Sequence, residues 1–97
     1  MYQIREIFHC KPGKAKDLVR VFKKAMPFME KDGFKNGKIM TDFVASYWTV
    51  VIEYETLKLD SFADKARTET TDPQVAEIFK GYMDFVLEGK REVFMLE

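Results

Sequence analysis

Residues 38–55, KIMTDFVASYWTVVIEYE, decide the fold of this chain. Residues 38–45 and 47–55 both have the β-branched and aromatic character of strands. A tight connection near Ser46 would join them, which predicts two antiparallel neighbours. Side chains alternate between the two faces of a strand, and the more apolar face of the second strand should lie under the helices. That face is predicted to carry Trp48, Val50, Ile52 and Tyr54.

The segment before this strand pair predicts one strand and one helix. Residues 2–10 are strand-like, and the turn Lys11-Pro12-Gly13 should end them, because proline removes a ladder donor and glycine permits a turn. From Lys14 onward, apolar residues recur at three- and four-residue spacing, as they do along one face of an amphipathic helix. These residues are Ala15, Leu18, Val19, Phe22, Ala25, Met26 and Met29.

Proline and glycine predict where the helix and its following loop end. Pro27 lies inside the apolar pattern, so it should kink or end the helix near Ala25, because it has no N–H to donate and crowds the preceding turn. Gly33 then closes the helical segment. Gly37 marks a second turn before the strand that follows.

The C-terminal part predicts two helices and a last strand. Asp60 or Ser61 can cap a short helix through Arg67. Asp72-Pro73 is the start signal of a longer helix, with aspartate as the cap and proline in the first position. Gly89 should stop that helix, and residues 92–96 should form the last strand. The apolar side of the longer helix is predicted to carry Val75, Ile78, Phe79, Tyr82, Met83 and Val86.

The order strand, helix, two strands, helix, strand predicts one α+β domain over residues 1–97. Right-handed crossovers favour a ferredoxin-like βαββαβ arrangement, a four-stranded antiparallel sheet with both helices on one face. The other face stays open, and residues expected there, such as Thr49 and Val51, are mixed rather than fully polar. A half-apolar open face on so small a domain predicts a homodimer that pairs through it.

Composition excludes several classes of partner. The 97 residues contain 16 Lys plus Arg and 16 Asp plus Glu, so the chain lacks the basic footprint of a protein that binds nucleic acid or an anionic membrane. No apolar run reaches the length of a membrane span, and the N-terminus lacks a signal-peptide core. Cys10 is the only cysteine and cannot form an internal disulfide, which indicates a reducing compartment, the cytoplasm.

His9 is the only histidine and therefore the candidate proton acceptor. It lies at a strand end beside a turn, where ligands approach; the alternative is a rim histidine without a role. His9 and Cys10 are adjacent on a strand and point to opposite faces, so they form no catalytic dyad. No metal-ligand spacing, phosphate loop or nucleophile elbow is present, so neither a metal nor a cofactor is expected.

The candidate ligand-binding residues are Trp48, Tyr54, Phe79, Tyr82 and Met83. Together they would line the space between the sheet and the helices, where a flat apolar ligand could stack and the tyrosine hydroxyls could orient it. The alternative is that these side chains fill the core. Asp42, Glu53 and Glu55 could form an acidic patch with Arg5 across the sheet, but solvated or interface ion pairs explain these residues more simply.

Several of these segments resemble NIPSNAP-like domains, which belong with antibiotic-biosynthesis monooxygenases in the dimeric α+β barrel superfamily. The resemblance covers nearly the whole chain, and it rests mainly on turns and helix boundaries. The matching segments are Ile4-Arg5-Glu6, Lys11-Pro12-Gly13-Lys14, Met26-Pro27, Lys31-Asp32-Gly33, the Trp48 strand, Leu59-Asp60-Ser61-Phe62 and Asp72-Pro73. The resemblance implies a homodimer whose two sheets form a barrel, with a ligand cavity between sheet and helices in each subunit.

The superfamily includes cofactor-independent monooxygenases of aromatic substrates, isomerases, haem degraders and proteins without a known reaction. The haem degraders combine a strand tryptophan with an asparagine on the first strand and a histidine on the second long helix. This chain has Trp48, but residues 2–10 contain no asparagine and residues 73–88 no histidine. The resemblance therefore does not extend to haem degradation.

Two functions remain open from the sequence. The first is a small oxygenase or isomerase acting on an aromatic substrate. Because no flavin or nicotinamide motif is visible, the substrate itself would have to activate oxygen, with Trp48, Tyr54 and Tyr82 holding the ring and His9 accepting a proton. The second is a non-catalytic dimer that binds a small ligand or serves a structural role.

Overall fold

The computed structural model describes residues 1–59 and 73–97 and contains one four-stranded antiparallel sheet of order β2-β3-β1-β4. Its elements are β1 (Tyr2–Cys10), α1 (Ala15–Lys31), β2 (Lys35–Thr41), β3 (Thr49–Thr56), α2 (Pro73–Phe79), a 3₁₀ turn (Tyr82–Phe85) and β4 (Val86–Met95). The ferredoxin-like α+β fold predicted from the sequence is confirmed. The predicted short helix through Arg67 and the cap Asp72 lie outside the described residues.

The core lies between the sheet and α1. Alternation along β1 and β3 turns one face of each strand toward the helices, and α1 covers that face with its apolar side. The buried apolar side chains that meet there are Ile4, Cys10, Ala15, Leu18, Phe22, Phe34, Val50, Ile52, Tyr54 and Val86. The opposite face of the sheet carries no element among the described residues and is the open face.

Of the two outcomes predicted for Pro27, a kink or an end of the helix near Ala25, the end is wrong. The helix continues to Lys31 with the proline inside it, because Met26 and Met29 pack against the core and hold the last turns in place. The prediction for Gly33 is confirmed. Its φ of +95° is a left-handed conformation that favours glycine, and the N–H of Phe34 then bonds to the carbonyl of Met29 at 3.1 Å.

The turn predicted at Gly37 is also wrong, because Gly37 lies within β2. The register between β2 and β3 shifts between Lys35 and Lys38, and Asn36 within that irregularity has a φ of +53°. A Cβ on Gly37 would lie 2.7 Å from Sδ of Met26. Glycine is therefore used here for a bulge and for close contact with a helix side chain.

The connection between β2 and β3 is longer than the tight turn predicted near Ser46. It spans residues 42–48, and Asp42 ties its ends together by accepting a hydrogen bond from the Thr49 N–H at 2.9 Å. Trp48 belongs to this connection, with a φ of +60°, so its predicted place on the inner face of the strand is wrong. The predicted inner positions of Val50, Ile52 and Tyr54 are confirmed by their burial.

The C-terminal helix is shorter than predicted. Pro73 begins α2 as expected, but the helix ends at Phe79 and Gly81 follows with a φ of +75°. Residues 86–95 then pair with β1 along its whole length, so Gly89 lies inside a strand instead of stopping a helix. A Cβ on Gly89 would approach Cδ1 of Phe8 to 3.3 Å, which explains why a strand at this place carries glycine.

Candidate functional site

A carboxylate lies on the buried face of the central strand. Alternation along β1 places Glu6 on the same face as Ile4 and Cys10, which are fully buried under α1. Glu6 itself is only 8% exposed. The sequence contains a signal for this buried carboxylate, because Glu6 alternates along β1 in step with the apolar residues Ile4 and Cys10. The residues predicted for the site do not include Glu6.

Arg91 pairs with this carboxylate. The register between β1 and β4 sets Arg91 opposite Glu6, and its Nε donates a hydrogen bond to Oε1 of Glu6 at 2.7 Å. Nη2 of the same guanidinium lies 2.5 Å from that oxygen. Removing a carboxylate from water is costly unless a charge and hydrogen bonds replace the water, and Arg91 provides both.

Two tyrosine hydroxyls complete the polar group. The hydroxyl of Tyr54 donates a hydrogen bond to Glu6, and burial together with the negative charge of Glu6 raises the pKa of Tyr54, against an opposing effect of Arg91. Burial, followed by the charge of Glu6, also raises the pKa of Tyr82, again against Arg91. Both hydroxyls therefore stay protonated at neutral pH and can donate hydrogen bonds.

Aromatic rings surround this polar group, which we call the Glu6 cluster: Glu6, Arg91, Tyr54 and Tyr82. The rings of Phe79 and Tyr82 meet edge to face at 5.4 Å, and Phe22 contacts Phe79 in the same way at 5.5 Å. On the other side, Phe34 lies 5.1 Å from the ring of Tyr54. The layer between sheet and helices thus combines packed aromatic rings with a few convergent polar atoms.

Three of the five predicted ligand-binding residues lie in this layer and two do not. Tyr54, Phe79 and Tyr82 are held between sheet and helices by the contacts above. Trp48 lies in the connection between β2 and β3, and its side chain is 42% exposed. Met83 is 56% exposed on the 3₁₀ turn. The helical spacing that grouped Met83 with Phe79 and Tyr82 fails here because the helix has already ended.

His9, the predicted proton acceptor, lies on the open face of the sheet. Its Nδ1 lies 3.3 Å from the hydroxyl oxygen of Thr49, and its Nε2 lies 3.9 Å from Oε1 of Glu88. The sheet separates it from Tyr54 and Tyr82, so the six predicted site residues cannot meet one ligand within a subunit. Cys10 points the other way into the core, where burial raises the pKa of its thiol.

The predicted acidic residues are held by separate partners. Glu53 bonds with Arg5, Nη2 to Oε1, at 3.3 Å, and Glu55 accepts a hydrogen bond from Nδ2 of Asn36 at 2.9 Å. Asp42 instead accepts the Thr49 N–H in the connection described above. Of these three contacts, only Glu53 with Arg5 is an ion pair across the sheet, whereas Glu55 and Asp42 accept hydrogen bonds from neutral donors.

Other kinds of site are less well supported. A cleft of about 390 Å³ opens between α1 and α2, with Arg20, Lys24 and Lys80 among its lining residues, but it shares none of the predicted site residues. Within residues 1–59 and 73–97, no group of three or more histidine, cysteine or acidic side chains is placed to hold a metal ion. No helix in these ranges is long and apolar enough to span a membrane.

Comparison with solved structures finds the same fold in NIPSNAP and monooxygenase proteins. An uncharacterized NIPSNAP domain protein from Burkholderia xenovorans matches with a TM-score of 0.80 at 10% identity, covering 100% of this chain and 95% of that chain. A NIPSNAP family protein from Agrobacterium tumefaciens matches with a TM-score of 0.79 at 8% identity, covering 99% of this chain and 92% of that chain.

A protein described as an antibiotic biosynthesis monooxygenase matches with a TM-score of 0.76 at 9% identity, covering 100% of this chain and 99% of that chain. No protein-family model and no curated protein matches the sequence. The resemblance to these proteins that the sequence predicted is therefore confirmed for the fold. A shared fold leaves the activity to be argued from the site.

Proposed function

We propose that this protein is a homodimer in which each subunit binds a small aromatic ligand between its sheet and its helices, beside the Glu6 cluster. One observation supports this proposal above the others. Glu6 is a charged side chain on the core-facing side of the central strand, and it is accompanied by an arginine and two tyrosine hydroxyls. Ligand sites combine such apolar walls with a few convergent polar groups.

The chemistry of the cluster favours a ring that carries a hydroxyl or carbonyl oxygen. The protonated hydroxyl of Tyr82 offers a donor, and the rings of Phe79 and Tyr82 offer edge-to-face contacts. Nε and Nη2 of Arg91 hold the Glu6 carboxylate in place beside this position. A phenol or naphthol has the polarity for this position.

Binding without turnover is supported by the position of His9. An enzyme that used His9 as proton acceptor and Tyr54 and Tyr82 as ring holders would need all three on one face of the sheet, and the sheet lies between them. The predicted catalytic role of His9 stays a prediction.

Oxygenation of an aromatic substrate is the second candidate function. It is favoured by the likeness of the fold to a protein described as an antibiotic biosynthesis monooxygenase. An oxygen electrode separates the two functions. A binding protein leaves the oxygen concentration unchanged when 1-naphthol is added, whereas an oxygenase consumes oxygen in proportion to the product formed.

Dimerisation is supported by the composition of the open face. Its central row contains Met40, Val51 and Ile7, which lie side by side on β2, β3 and β1. An apolar row on a sheet face that none of the described elements covers is typical of a surface that pairs with another protein surface. For a chain of this size, a second sheet would add useful burial.

Calorimetric titration with 1-naphthol tests the ligand site. We expect Tyr82→Phe to weaken binding about tenfold, because it keeps the ring and removes one donor worth roughly 1–1.5 kcal/mol. Tyr47→Phe is the matched control, since Tyr47 is 86% exposed in the β2–β3 connection, and it should leave the affinity unchanged. Equal affinity of Tyr82→Phe and the wild type, or no binding by the wild type, would contradict the site.

A further inference from the structure

The cleft between α1 and α2, which we call the helix cleft, has an apolar lining that comes from three elements. The rings of Phe22 on α1 and Phe79 on α2 meet at 5.5 Å and hold the two helices together. Their chain neighbours Val21 and Ile78 are half-buried and line the cleft, together with the half-buried Phe85 of the 3₁₀ turn. The less exposed part of the lining can therefore hold an apolar group.

Charged side chains form the rest of the lining. Asp17, Arg20 and Lys24 recur at three- and four-residue spacing and so share one face of α1, while Glu77 and Lys80 come from the end of α2 and the residue after it. Nη1 of Arg20 lies 3.3 Å from Oδ1 of Asp17. Within residues 1–59 and 73–97, no acidic side chain lies within ion-pair distance of Lys24 or Lys80. Three cations and two carboxylates leave the helix cleft with one net positive charge.

We propose that the helix cleft binds a small apolar monocarboxylate, whose carboxylate is shared by Lys24 and Lys80 while its apolar body lies against Val21, Ile78 and Phe85. The volume of about 390 Å³ falls in the range of pockets that hold small molecules. A lysine stem can cover apolar surface while its ammonium stays in water, so the two exposed lysines suit a ligand that is apolar at one end and charged at the other.

The charge of the lining distinguishes this ligand from others. A phosphate monoester carries a charge of about −1.5 to −2 at neutral pH, more than the single net positive charge neutralises, and Glu77 would repel the remainder. An uncharged apolar molecule would leave Lys24 and Lys80 without a partner. A carboxylate on an apolar body matches both the charge and the apolar lining.

The helix cleft is separate from the Glu6 cluster. None of its lining residues belongs to that cluster, and its net charge is positive, whereas a carboxylate is the buried group of the cluster. The proposal for the helix cleft therefore does not depend on the aromatic ligand proposed above, and the two sites can be tested independently.

Calorimetric titration with octanoate at low salt tests the helix cleft. We expect Lys24→Gln and Lys80→Gln each to weaken octanoate binding about three- to fivefold, because each removes one exposed charge contact, and the double variant to weaken it at least about tenfold. Lys23→Gln is the matched control. Lys23 is an exposed lysine on α1 that does not line the cleft, so the affinity should stay unchanged.

Two further probes separate the contribution of the charge from that of the apolar body. 1-Octanol has the same chain length without the charge, so it should bind the wild type at least about tenfold more weakly than octanoate and should not distinguish the wild type from the double variant. Butyrate keeps the charge and lacks four methylene groups. It should also bind at least about tenfold more weakly, because one fully buried methylene is worth about fourfold in affinity.

The outcomes decide this site without reference to the Glu6 cluster. Absence of saturable octanoate binding by the wild type, or binding that both lysine substitutions leave unchanged, would overturn the helix cleft and leave the naphthol site standing. Displacement of 1-naphthol by octanoate would also overturn it, because the two ligands would then share one site. Lys24 and Lys80 are exposed, so their variants should keep the fold, and far-ultraviolet circular dichroism checks this.

Discussion

Replacing Arg91 with methionine is expected to lower the free energy of unfolding by about 2–4 kcal/mol, because it leaves the Glu6 carboxylate without its charge partner. Glu6 is nearly buried, so little water can replace the guanidinium, and among the described residues the hydroxyl of Tyr54 would remain as a donor. The loss is smaller than for a fully buried pair because the side chain of Arg91 is half-exposed. Urea unfolding at pH 7 measures the change.

Two further variants decide whether the destabilisation by Arg91→Met is caused by the loss of the ion pair with Glu6. Arg20→Met makes the same substitution in an exposed ion pair with Asp17, whose atoms are 3.3 Å apart, and it should cost no more than about 0.5 kcal/mol. Adding Glu6→Gln to Arg91→Met removes the unpaired charge and should recover much of the loss. A cost for Arg91→Met as small as that of Arg20→Met would show that Glu6 does not depend on its partner.

Phe22→Ala is expected to destabilise the fold by about 3–5 kcal/mol, the cost of removing a large buried ring. Phe22 is 4% exposed, and its ring contacts Phe8, Phe79 and Tyr82 with centroids 5.6, 5.5 and 6.5 Å away. Phe22 therefore joins Phe8 on the sheet to Phe79 and Tyr82 in the proposed ligand layer. Urea unfolding again gives the size of the effect.

The control for Phe22 is Phe43→Ala, which removes the same ring where it is 99% exposed. That substitution should leave the free energy of unfolding within about 0.5 kcal/mol of the wild type. Phe22→Leu, which keeps part of the volume, should fall between the two and remains measurable if Phe22→Ala does not fold. A loss below about 1 kcal/mol for Phe22→Ala would mean that the aromatic layer is not close-packed around this residue.

The parts of the fold that local periodicity determines could be predicted from the sequence. β1 and the inner face of β3 follow from alternation, and the buried face of α1 follows from three- and four-residue spacing. The strand order followed from the order of elements and the handedness of crossovers.

The errors lie where long-range contacts override a local signal. Pro27 stays inside a helix because the methionines around it pack against the core, and Gly37 stays inside a strand because Met26 occupies the space of a side chain. Gly89 was interpreted as a helix stop, but pairing with β1 makes its segment a strand. In each case the deciding contact joins residues that are distant in the sequence or belong to another element.

The candidate site was found only in part. Tyr54 and Tyr82 were predicted from their aromatic character, while Glu6 and Arg91 were not. Glu6 nevertheless lies on the same face of β1 as the buried residues of that strand. Arg91 could not have been paired with it, because the register of β4 on β1 depends on a strand that was predicted to begin six residues too late. A correct last strand would have placed the two charges opposite each other.

The ligand site between sheet and helices is tested most directly by fluorine nuclear magnetic resonance of protein labelled with 3-fluorotyrosine. The chain has four tyrosines, so each gives one assignable signal. During titration with 1-naphthol, we expect the signals of Tyr54 and Tyr82 to shift and saturate together, while that of the exposed Tyr47 stays in place. A titration that moves only Tyr47, or that leaves Tyr54 and Tyr82 unchanged at saturation, would contradict binding at the Glu6 cluster.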